Sequence, residues 1–122
     1  MAVTTTPLST SVGANIVTDL ASNATSESDV RAGATTVFIV DVDNTANVDV
    51  TYVKLYDSAG PTIGTTAPDV VLRVTGSARK SFVLDMSGVA FTTGLSFASV
   101  TAGGTAGTSN PSSSVIVRIL TS

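Results

Sequence analysis

The polar and apolar residues of this chain fall into short runs at a period near two, broken by clusters of Gly, Pro, Ser and Asn. No stretch carries apolar residues at the three-to-four spacing of a helix. Residues 35–43, TTVFIVDVD, are β-branched and apolar on both faces at their centre, which predicts a strand covered on both sides or central in a sheet. Further strands are predicted over residues 48–57, 69–74, 81–86, 95–101 and 114–121, with a weaker one over 15–20. In the last strong run one face carries Val115, Val117 and Ile119, and the other Ile116, Arg118 and Leu120. Turn clusters at 58–61, 64–68, 76–79 and 103–111 separate the runs. About seven short strands at fairly regular spacing predict an all-β fold, an antiparallel β-sandwich of immunoglobulin-like size, with a small β-barrel as the alternative. The paired cysteines and core Trp of antibody domains are missing, so the immunoglobulin subtype itself is not supported.

Two segments fall outside this pattern. Residues 1–13 are rich in Thr and Ser and predict an extended N-terminal arm with little core of its own, leaving 14–122 as one sandwich domain. Residues 21–33 are polar and predict a loop with a short helical turn. The expected core is Phe38, Ile39, Val40, Val53, Leu55, Val71, Leu72, Phe82, Leu84, Leu95, Phe97, Val115, Val117 and Ile119, some of them facing a partner instead.

Composition narrows the function classes. The chain has 122 residues, only 12% of them charged against roughly 25% in ordinary domains, so Ser, Thr, Asn and Gly must supply most of its solvation. Net charge is −3, and the six Lys and Arg form no basic patch or run, which argues against nucleic acid and anionic membrane as partners. Cysteine and histidine are both absent. That excludes disulfides, Cys nucleophiles, Ser-His-Asp triads and histidine zinc sites. The N-terminus lacks the basic and apolar regions of a signal peptide, and no run is long enough to span a bilayer as a helix.

The stretch DVDNTANVD, residues 41–49, places Asp41, Asp43, Thr45, Asn47 and Asp49 at alternating positions. A calcium-binding EF-hand loop would need Gly at its sixth position and Glu at its twelfth, but these are Ala46 and Tyr52. A calcium site of another kind at a sandwich end would need six to eight oxygens, more than this loop supplies. The simpler expectation is a hairpin loop, 44–47, with the aspartates as strand-end residues facing water.

No catalytic constellation stands out. There is a single Glu, and Asp57, Asp69 and Asp85 read as turn and strand-edge residues. Lys54 and Lys80 are expected to snorkel or face water. Gly103–Gly107 lacks the Gly-Lys-Ser/Thr of a phosphate loop and precedes a strand. No enzyme activity, catalytic residue, metal ligand or cofactor is therefore expected. The loop 102–111 offers polar groups to a sugar, with few free aromatics to stack on one.

VKLYDSA (53–59), TIGTTAPD (62–69), FTTGLSFA (91–98) and TAGGTAGT (101–108), spread over roughly the last two thirds of the chain, resemble small β-sandwich virion proteins of tailed bacteriophages. The resemblance implies a structural role in a virion assembled in the host cytoplasm. The leading expectation is a capsid decoration or cement protein, with a neck, tail or fibre component as the alternative. It implies the major capsid protein or other virion proteins as partners, and a homo-oligomer, by analogy a trimer. No functional residues transfer with it. A cell-surface adhesion or carbohydrate-binding module is the expectation from a different class. A mean hydropathy of +0.41 fits apolar surface sheltered by partners.

Overall fold

The computed structural model describes residues 2–7, 14–85 and 87–122. Within them lie ten strands: β1 (Val3–Pro7), β2 (Asn15–Ser22), β3 (Glu27–Ala32), β4 (Thr35–Asp43), β5 (Thr51–Asp57), β6 (Val70–Val74), β7 (Arg79–Val83), β8 (Val89–Phe91), β9 (Gly94–Val100) and β10 (Val115–Thr121). One sheet runs β1-β2-β10-β4-β7, with β8 pairing the other end of β4, and the second runs β3-β9-β5-β6. Every pairing is antiparallel. The chain is thus an antiparallel β-sandwich, as its apolar pattern predicts, with ten strands where about seven are legible.

The pairing is nested. β5 pairs β6, β4 pairs β7 and β8, β3 pairs β9, and β2 pairs β10. One long hairpin of strand pairs, rolled so that alternate pairs fall in opposite sheets, is the jelly-roll arrangement. The alternation of β10 fits it. Val115, Val117, Ile119 and Thr121 are buried between the sheets, while Ile116, Arg118 and Leu120 face outward. β9 is buried along its whole length, so it is covered on both faces.

The core is mostly aliphatic, and Val17, Val37, Val40, Val42, Val53, Leu55, Phe97, Val117 and Ile119 have no exposed surface. A bulge decides the phase of β4. Leu120 pairs with Ile39 and Thr121 with Val37, so Phe38 is the extra residue. Val37, Val40 and Val42 therefore all point inward, and Phe38 and Ile39, expected in the core, are only half-buried. Val71 lies on the exposed side of β6, and Phe82 and Leu84 are half-buried at the sandwich margin.

Three strands lie where none is predicted. Within the expected arm, Val3–Pro7 is β1, laid on β2 and exposed except at Val3, which is half-buried against the core. Residues 8–13 of that arm, and Met1, lie outside the described residues. The expected loop 21–33 contains β3, an irregular strand whose pairing with β9 shifts between Glu27 and Arg31 and whose Asp29 has a φ of 54°. β8 is a three-residue strand at the sheet margin. β7 starts at Arg79 and ends at Val83 rather than spanning 81–86, and Met86 lies outside the described residues.

Candidate functional site

The outer faces of the two sheets differ. On the second sheet, Tyr56, Lys54, Ser96, Ala98 and Val100 are fully buried although they point away from the core. The loop 101–114 lies over them. Gly103 packs so close to the Tyr52 ring that a Cβ there would sit 2.8 Å from it, and the Lys54 ammonium donates to the Gly104 carbonyl at 2.6 Å. This loop meets the loop 58–69 where Gly64, at a φ of 93°, abuts Thr108. Lys54 therefore does not reach water as expected. Burial pushes its ammonium below the ordinary lysine range. Gly103 serves this close approach, while Gly107 permits a tight contact with Ala102 within the loop itself.

The outer face of the first sheet is open, and the ladder registers arrange it in rows. Ile16, Leu120, Ile39 and Val83 pair in sequence across β2, β10, β4 and β7, an aliphatic row perpendicular to the strands. Thr18, Arg118, Asp41 and Ser81 form the next row. Ile116, Asp43 and Arg79 form a third. Between the first two rows runs a groove of about 300 Å³, lined by Ile16, Ile39 and Leu120 on one side and Asp41, Ser81, Arg79 and Arg118 on the other. Val83 is 69% exposed and Leu20, also on the outward side of β2, is 56% exposed.

The charges in the groove are unequally satisfied. The Asp41 carboxylate accepts from Ser81 Oγ at 2.7 Å and from Arg79 Nε at 3.1 Å, and Arg79 Nη2 approaches to 2.9 Å. Partial burial works to raise the Asp41 pKa, but the bonds from Arg79 and Ser81 and the charges of Arg79 and Arg118 together hold it below the usual carboxylate range. Arg118 stands 3.8 Å from the same carboxylate, and its Nη1, out of contact with water, makes no hydrogen bond. Asp43 is occupied locally, accepting from the Thr45 backbone at 3.0 Å and its hydroxyl at 2.5 Å. Asp41 is thus not a water-facing strand end, while Asp43 ends β4 as expected. One anchors an arginine on the sheet face and the other closes a turn.

The segment 44–50 is not a hairpin loop either, because it carries the chain from β4 in one sheet to β5 in the other. Two buried asparagines hold it. Asn44 Nδ2 donates to the carbonyls of Asp49 at 3.0 Å and Thr75 at 3.1 Å, and its Oδ1 accepts from Asn47 Nδ2 and Thr51 Oγ1, both at 2.9 Å. Asn47 also donates to the Ser113 carbonyl at 3.0 Å and accepts from the Ser113 backbone at 2.7 Å. The five alternating oxygen-bearing side chains of 41–49 therefore turn in different directions rather than to a common centre. Among the described residues, no group of three or more His, Cys, Asp or Glu is placed to hold a metal ion.

The remaining acids are dispersed. Asp57 accepts from the backbone N–H groups of Thr92 at 3.0 Å, Thr93 at 2.7 Å and Gly94 at 3.3 Å, which hold its carboxyl below the usual range. Asp69 accepts from the Asp57 backbone at 2.7 Å. Lys80 lies 4.9 Å from the centre of the Phe82 ring. Asp19 is fully buried, and its Oδ2 has no hydrogen-bond partner. Among the described residues no helix is long and apolar enough to cross a membrane.

Comparison with protein-family models, with curated proteins and with solved structures returns no match for this chain. The groove was partly legible in the sequence, since Ile116, Arg118 and Leu120 fall on one face of the last strand. Arg79 and Val83 were not, because their place depends on which strand β7 pairs.

Proposed function

We propose that this chain is a structural virion protein of a tailed phage, a capsid decoration or cement protein that stabilises a shell by binding its surface as an oligomer. The observation that carries the reading is the asymmetry of the two sheets. The chain roofs one outer face with its own loops and leaves the other half apolar, with its aliphatic row open to a neighbour. The resemblance of 53–59, 62–69, 91–98 and 101–108 to phage virion sandwiches supports it. The jelly roll recurs in viral capsid and lectin domains, which is analogy at the level of fold. A low-charge, Thr-rich surface suits flat packing against repeated neighbours, because little charge is desolvated there.

Quantitative mass spectrometry of purified particles from the native source tests this. A copy number near that of the major shell protein is expected. A far smaller ratio would move the chain to a neck, tail or fibre, and absence from particles would overturn the reading in favour of an adhesion module.

A further inference from the structure

We propose that the loop tip bearing Val48 and Asp49 docks into the Arg118 groove of a second copy of this chain. The proposal rests on the reading of the protein as a self-assembling structural component, and names the surface it would use.

The tip has the form of a ligand. Val48 is 82% exposed, the most exposed large apolar side chain among the described residues. Asp49 beside it is exposed, and its carboxylate makes no hydrogen bond or ion pair among the described residues. Both ride on a backbone fixed from beneath. Asn44 holds the Asp49 carbonyl, the Ser77 N–H donates to the Asn47 carbonyl at 2.7 Å, and Gly76 lies so close that a Cβ there would strike the Val48 carbonyl. A protruding side chain on a rigid support loses little entropy on docking.

The groove has the matching deficit. Asp41 is taken up by Arg79 and Ser81, and Asp43 by Thr45, so neither fully satisfies Arg118. The Arg118 side chain is 33% exposed beside an aliphatic wall, and the nearest carboxylate, that of Asp41, stands 3.8 Å off. An acceptor anion one residue from an apolar side chain meets both needs: the carboxylate for Arg118, the isopropyl group for Ile39 and Leu120. Knob and groove are different surfaces of one molecule, so the contact is heterologous and propagates into a closed ring or a filament. A single such contact is small against the roughly 800 Å² per partner of a stable interface, which makes ring closure, with two contacts per copy, the favoured form.

The test is sedimentation velocity on the full chain from micromolar to near-millimolar concentration. Wild type is expected to self-associate. Asp49→Arg and Val48→Ser, both on the exposed tip, are each expected to weaken association roughly tenfold or more with the melting temperature unchanged. Asp49→Arg mixed with Arg118→Glu is expected to associate where neither does alone, since each groove then meets a tip of opposite charge. A wild type that stays monomeric throughout would overturn the proposal. So would association that Asp49→Arg and Val48→Ser leave intact, although an oligomer built on another surface would then stand. Should Arg118→Glu fail to fold, the two tip variants decide alone. Particle copy number is a separate readout, so the virion reading can fail while the docking holds, and the reverse.

Discussion

Asp19 is the residue whose chemistry most opposes its place. Its side chain lies between the sheets, with Oδ1 accepting from the Ala21 N–H at 2.9 Å and Oδ2 unpaired. Burial raises its pKa, against the opposing pull of the bonds from Ala21 and Ser22. The folded protein therefore holds this proton more tightly than the unfolded chain does. The stabilisation that follows is complete below the ordinary carboxylate value, near roughly 4, and is lost as pH rises through the folded value. At neutral pH the ionised Asp19 is a liability. Asp19→Asn should raise the melting temperature by roughly a few degrees at pH 7, and this gain should vanish below about pH 4. Glu27 gives a second readout, since burial first and the Asp19 charge second raise its pKa. An NMR titration of the variant should show Glu27 titrating lower. Asp57 has the opposite sign: its contribution is present above the unfolded value and is lost as pH falls through the depressed folded one. Asp57→Asn should accordingly flatten the acid limb of a stability-versus-pH curve followed by circular dichroism.

At the scale of the element, the loop between β4 and β5 shows how little propensity alone decides. Asn44 is buried with its amide and carbonyl both engaged, so Asn44→Ala would strand the carbonyls of Asp49 and Thr75 and the hydroxyl of Thr51. A loss of about 2–4 kcal/mol by urea unfolding is expected. Gly76→Ala should be damaging for another reason, because the new methyl meets the rigid backbone of Val48 rather than a movable side chain. It should displace the tip and weaken self-association together with stability. From sequence, the Asn and Asp of 41–49 read as turn formers, which Asp43 and Asn47 are. What could not be read was that the turn joins two sheets, since partner choice depends on residues far along the chain. The same limit explains the strands. β4, β9 and β10 were legible because burial enriches them in Val, Ile, Leu and Phe. β1, β3 and β8 are edge or marginal strands held mainly by backbone bonds, and their polar residues resemble loops. The bulge at Phe38 left no local mark either, and a strand apolar on both faces at its centre placed Phe38 and Ile39 inside along with Val40, when Ile39 belongs to the groove.

For the whole molecule, nested pairing means that strands near the two ends of the chain meet at the centre of one sheet. β10 lies between β2 and β4, and Val115, Val117 and Ile119 reach the core from it. β1 occupies the outer edge of the same sheet and buries almost nothing. The two termini should therefore respond very differently to truncation. Removing residues 1–7 withdraws a short backbone ladder and the half-buried Val3, so the fold should survive with a melting temperature lowered by several degrees at most. Removing 115–122 exposes the edges of two core strands and opens a cavity along the sandwich, so no cooperative transition should remain. Circular dichroism melts of the two truncated chains would decide this. A cooperative transition in the shorter C-terminal variant would mean that β2 and β4 can close on each other without β10, and the groove, to which β10 contributes Leu120 and Arg118, would then be an accessory to the fold rather than a consequence of it.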